Sequence, residues 1–158
     1  MSILTSIVVI SSAFLAMEFV AWFTHKYIMH GVFWNIHADH HVKRPGFIEK
    51  NDLFILVFAL PSWLFIMFGM IYQLPPVVDV GIGIALYGAC YFLVHDVFIH
   101  QRFKWLKKSK NSYLMGIRKA HKVHHKHLGK EDGECFGMLI VPLKYIREAK
   151  RANTVSSR

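Results

Sequence analysis

Three long apolar stretches divide the chain. The first occupies residues 1–24 and carries one charge, Glu18; the second runs from Leu53 to about Tyr72, and the third from about Val77 to Ile99. About 20 helical residues cross a hydrocarbon core of ~30 Å, so each stretch is long enough for a transmembrane helix. The first has no basic residues ahead of its apolar run, and that run is long for a secretory signal, so it reads as a retained span. Asn51 or Asp52 stands where the second span needs an N-cap, and Pro75-Pro76 marks a turn before the third. The pattern predicts an all-α fold: an integral membrane helical bundle.

The segments between and after the spans are mixed. Residues 31–50, with Trp34, Phe47 and a Pro45-Gly46 turn, read as lying along the interface. Residues 102–120 interleave Phe103, Trp105, Leu106, Tyr113, Leu114 and Ile117 with basic residues, as an interfacial helix does. Phe136–Ile146 is apolar but broken by Gly137 and Pro142; too short to cross, it is expected to pack under the polar end of the bundle. The expectation is one domain over 1–150 and a loose polar tail over 151–158, loosening from about Ala149.

Charge adds an orientation. All 19 Lys and Arg lie in 26–50 or 102–158, and Asp79 is the only charge in the connector between spans two and three. By the positive-inside rule both basic segments are cytoplasmic, which puts the N-terminus outside and the C-terminus inside, and in a bacterium places the chain in the inner membrane. The formal net charge of +9 then reads as orientation and contact with anionic headgroups, or docking of an acidic soluble partner, ahead of nucleic-acid binding. Cys90 lies in a span and Cys135 in a reducing compartment, so no disulfide is expected.

The histidines change the picture most. His25-Lys-Tyr-Ile-Met-His30 is followed by His37-Ala-Asp-His40-His41, and His95-Asp-Val-Phe-Ile-His100 by His121-Lys-Val-His124-His125. Both halves spell HxxxxH and then HxxHH, which absorbs ten of the eleven histidines and leaves only His127. Neutral imidazole is the commonest metal-binding side chain, and i, i+3, i+4 share one helical face. Residues five apart are roughly 140° apart on an α-helix, so His25 with His30, or His95 with His100, meet one ion only if the helix unwinds; otherwise they serve neighbouring ions. Ten ligands imply two metals, and all four boxes fall on the cytoplasmic side.

Neighbouring residues extend the candidate site. Asp39 and Asp96 adjoin ligand candidates and could orient an imidazole through its other nitrogen, or serve as ordinary caps. Glu18, an acid within a span, needs a partner and lies about two turns before His25. Tyr87 and Tyr91 share a stripe with His95, as substrate wall or as plain core, and Gly81, Gly83 and Gly88 allow close helix approach. A metal centre at the rim of apolar helices faces substrates dissolved in the bilayer, which offer unactivated C–H bonds. Iron with dioxygen suits that task and zinc does not. A membrane metal hydrolase is the alternative class; storage or transport would put ligands within the spans.

The doubled boxes resemble those of the fatty acid hydroxylase superfamily of membrane di-iron oxygenases. More narrowly, the chain is similar to the bacterial type of β-carotene 3-hydroxylases over nearly its whole length. That likeness rests on His25-Lys-Tyr-Ile-Met-His30-Gly31, Glu49-Lys-Asn-Asp52, Tyr91-Phe-Leu-Val-His95-Asp96, His100-Gln-Arg102, Ala120-His121, His124-His125 and Phe136-Gly137. The resemblance implies hydroxylation at C3 of each β-ionone ring, from β-carotene through β-cryptoxanthin to zeaxanthin, with dioxygen and reduced ferredoxin as co-substrates. It implies two iron ions on His25, His30, His37, His40, His41, His95, His100, His121, His124 and His125, with zinc able to replace iron in purified protein, and no catalytic residue beyond these ligands. It also implies three to four spans with a cytoplasmic histidine-rich di-metal cap. The boxes alone are shared with sterol and fatty acid hydroxylases; a membrane di-zinc hydrolase is the more distant alternative.

Overall fold

A computed structural model describes residues 1–42, 48–103, 105, 109–131 and 133–156. Among them every regular element is helical: α1 (Ile3–Phe23), α2 (Trp34–His41), α3 (Ile55–Ile71), α4 (Pro75–Phe92), α5 (Ser112–His124) and α6 (Leu143–Ser156). A π-helical segment, Thr24–Val32, continues α1, and a second, Leu93–Ile99, continues α4; a 3₁₀ turn, Lys50–Phe54, leads into α3. Three helical runs are long and apolar enough to cross a membrane, Ile3–Val32, Lys50–Ile71 and Pro75–Ile99, as the hydropathy pattern predicts. Their outward faces carry large apolar side chains, among them Leu15, Phe19, Trp63 and Met70. Water would not tolerate so much contiguous apolar surface, and lipid does. The chain is an all-α membrane protein.

The described chain forms two compact units. Met1–Val20 with Asp52–Cys90 is one. Small residues bring its helices close together: a Cβ on Gly83 would meet the Ala13 Cβ and the Ile10 carbonyl at 2.6 Å, and one on Gly81 would meet Ile66 at 2.7 Å. Missing side chains let these backbones touch, which is how helices pack where lipid supplies no hydrophobic drive. The Ser62 hydroxyl donates to the Gly81 carbonyl at 2.8 Å. Tyr87, 1% exposed, donates its hydroxyl to Glu18 at 2.8 Å, so the acid buried in the span has its partner.

Ala21–Asn51 with Tyr91–Arg158 is the other unit. Asn111 caps α5, its side-chain oxygen accepting from the N–H groups of Tyr113 and Leu114 at 2.9 and 3.1 Å. The buried face of α5 is Gly116, Ile117, Ala120, His121 and His124. Gly116 lies so close to α6 that a Cβ there would meet the Ile146 backbone at 2.9 Å.

Several expectations shift. Pro75 opens α4 rather than a turn: a proline at the first helical position gives up an N–H that has no partner there anyway. Neither Asn51 nor Asp52 caps α3, whose N-cap position is Phe54; the Asn51 side-chain oxygen accepts from His37 instead. Helix α5 begins only at Ser112, later than the 102–120 reading. Residues 151–156, expected as a tail, continue α6, where Ala149 is buried and the Asn153 amide donates to the Lys110 carbonyl at 2.7 Å. The Pro45-Gly46 turn, Phe47, and Lys104, Leu106, Lys107 and Lys108 of the second basic stretch lie outside the described residues.

Candidate metal centre

The five-residue spacing of HxxxxH is where both π-helical segments occur. The His100 N–H bonds the His95 carbonyl at 2.9 Å and the Phe33 N–H bonds the Ile28 carbonyl at 2.9 Å, both five residues apart. A π turn is wider than an α turn and brings i and i+5 onto one side. The unwinding required for each pair to meet one ion is therefore built into the backbone, and His25 joins His30 while His95 joins His100.

Nine histidines then gather into two groups. His25, His30, His37, His41 and His124 form one, and His40, His95, His100 and His121 the other, with the ligand atoms of each group within 4.8 Å of one another. The HxxHH boxes do not each serve one ion. Helix α2 sends His37 and His41 to the first group and His40 to the second, and α5 splits His124 from His121 in the same way. His125 lies between the groups, its ring stacked on His41 at 4.6 Å and 4.4 Å from that of His121. Its Nε2 is buried with no hydrogen-bond partner.

The other ring nitrogen of most of these histidines shows what the groups are able to hold. The Nδ1 atoms of His25, His30, His41 and His124 lie 3.0, 3.2, 3.0 and 2.9 Å from the carbonyl oxygens of Phe136, Lys130, His127 and Glu134. His37 Nδ1 lies 2.7 Å from the Asn51 side-chain oxygen, His40 Nδ1 2.7 Å from Glu49, and His95 Nδ1 3.1 Å from Asp96. Carbonyls and carboxylates only accept, so each Nδ1 carries the proton and each Nε2 presents a bare lone pair. Those lone pairs face one another. His37 Nε2 is 3.1 Å from that of His25 and 3.1 Å from that of His41, His30 is 3.2 Å from His124, and His40 is 3.0 Å from His95. Without a proton between them such contacts repel. Ligands about 2.1 Å from a shared ion stand about 3 Å apart at a right angle, so the donor set fits two metal ions.

Burial, with the neighbouring imidazoles adding to it, keeps the rings neutral. It lowers His37 to about 3, His41 to about 4, His124 to about 3 and His125 to about 2. His40, His100 and His121 are lowered by the same cause. At neutral pH none of these seven rings has to lose a proton before a cation enters.

The model of the family described as fatty acid hydroxylase matches residues 10–144. The chain belongs to the fatty acid hydroxylase family. A beta-carotene hydroxylase of Pantoea ananas is 41% identical over 128 residues, 81% of this chain and 73% of that one. One from Pseudescherichia vulneris is 42% identical over 139 residues, 87% and 77% of the two chains. A chloroplastic beta-carotene 3-hydroxylase of Haematococcus lacustris is 37% identical over 145 residues, 87% of this chain and 44% of that one. No solved structure matches the chain.

The remaining candidates of this fatty acid hydroxylase family member sit as follows. Asp96 supports His95, and the Tyr91 ring lies 5.0 Å from that of His95. Asp39 binds the Lys50 N–H at 2.8 Å, and so holds the turn that carries Glu49 and Asn51 to His40 and His37. Glu18 and Tyr87 pair with each other in the other unit. Sequence reasoning gave no role at the site to Glu49 and Arg102, and read Asn51 only as a helix cap, although all three stand in the family-like motifs. Arg102 binds Glu49 at 3.0 Å and Asp96 at 3.2 Å. The carbonyls of the α5–α6 loop had no signal at all, because any residue supplies one.

Proposed function

We propose that this chain hydroxylates carotenoid rings at C3, taking β-carotene through β-cryptoxanthin to zeaxanthin. It uses dioxygen and two electrons at a pair of iron ions on the histidine groups. The observation that carries the metal assignment is the set of facing Nε2 lone pairs at 3.0–3.2 Å. The substrate class rests on the relatives, which are named for beta-carotene hydroxylation and match more than four fifths of this chain. When bound, iron supplies the redox change that dioxygen chemistry at an unactivated C–H bond requires and zinc lacks.

The protein's own residues do the positioning. The π turns and the α5–α6 loop fix the imidazole directions before any ion arrives. Burial of His37, His124 and Val97, all 1% exposed or less, keeps water from the reacting centre, and Tyr91 beside His95 is a wall for the ring. The electron donor is an acidic ferredoxin-like protein approaching exposed Lys122, Lys126 and Lys130. The basic segments and the histidines face the cytoplasm, and the spans lie in the bacterial inner membrane.

The test is expression in a bacterium that accumulates β-carotene, followed by pigment analysis. The expected products are β-cryptoxanthin and zeaxanthin. Unchanged β-carotene beside well-inserted protein and a competent donor would move the assignment to a sterol or fatty acid substrate.

A further inference from the structure

The two histidine groups are supported by different chemistry. Every Nδ1 of the five-histidine group donates to a neutral acceptor, four of them backbone carbonyls from residues 127–136 and the fifth the Asn51 amide. In the four-histidine group, His40 donates to the Glu49 carboxylate and His95 to that of Asp96. Arg102 ties these two acids together, its guanidinium 3.0 Å from Glu49 and 3.2 Å from Asp96, while its backbone N–H bonds the Asp96 carbonyl at 2.9 Å. Two carboxylates and one guanidinium thus stand behind this group, whereas among the described residues no carboxylate is bonded to an imidazole of the other.

We infer that the two metal positions are inequivalent: the Glu49–Arg102–Asp96 ion chain delivers negative charge to the four-histidine position alone. This rests on the reading of the histidines as ligands. A carboxylate behind an imidazole raises its basicity and pulls electron density toward the ion, whereas an amide or backbone carbonyl only orients the ring. The four-histidine position therefore favours the more highly charged ion and draws part of its affinity from charge. The five-histidine position depends on geometry, set by a loop whose residue 133 is glycine with the Phe136 ring against it. Glu49, Arg102 and Asp96 are positioning residues, acting through His40 and His95.

Cobalt(II) binding to the full chain in detergent, titrated against a chelator of known affinity, tests this without reference to turnover. Wild-type protein takes up two ions per chain; His30→Ala removes the five-histidine step and His100→Ala the four-histidine step, which assigns them. Glu49→Gln and Asp96→Asn are expected to weaken the four-histidine step 10–100-fold, the range for outer partners of a ligand, and to leave the other step unchanged. Glutamine still offers His40 an oxygen, so Glu49→Gln isolates charge from orientation. Equal weakening of both steps, no change in either, or loss in Glu49→Ala that Glu49→Gln fully rescues would overturn the inference while leaving the ligands assigned. A wild-type chain that binds no cobalt would overturn the ligand reading and the inference with it.

Discussion

Replacing His124 with alanine leaves an inserted protein whose carotenoid hydroxylation falls by more than about 100-fold. His124 is fully buried, its Nδ1 donates to the Glu134 carbonyl at 2.9 Å, and its Nε2 stands 3.2 Å from that of His30. Truncation removes one of five donors and strands a carbonyl on the loop that orients three others. Loss of an outer partner alone costs 10–100-fold in affinity or activity, and loss of a ligand exceeds that. His127→Ala is the matched control: His127 serves the site through its backbone oxygen, which accepts from His41, so that variant keeps wild-type turnover. Pigment yield per inserted protein, with metal content per chain, measures both.

The second large effect is metal identity. Stripping the protein with a chelator abolishes hydroxylation, iron(II) restores it, and zinc refills the site without restoring it. The basis is the donor set. Imidazoles accept iron and zinc alike, and rings held neutral at pH 7 by burial do not discriminate between them. Chemistry does: zinc has no accessible redox change. A zinc-loaded chain that acts on an ester or amide while the iron form does not would point instead to activated water as nucleophile.

What could be read in advance follows the physics of each feature. The spans were legible because lipid demands about 20 apolar residues in a row. The histidine groups were legible because two boxes repeat, and the spacing of five left either unwinding or neighbouring ions at His25–His30 and His95–His100, a choice that only the backbone settles. The division of His37 and His41 from His40 was not legible, because i, i+3, i+4 share a face and only neighbouring elements decide which ion each ring meets. Pro75 looked like a turn because proline breaks helices from inside, and opened α4 because it is tolerated at the start. The four carbonyl acceptors left no trace in the sequence, since backbone oxygen is common to every residue. Glu49 and Arg102, distant in sequence, meet only in the fold.

The most direct single measurement is the origin of the hydroxyl oxygen. Iron-loaded protein, β-carotene, a reduced ferredoxin and ¹⁸O₂ in ordinary water should give zeaxanthin carrying the heavy isotope at both ring hydroxyls. Zeaxanthin bearing only oxygen from water would contradict an oxygenase at the two histidine groups.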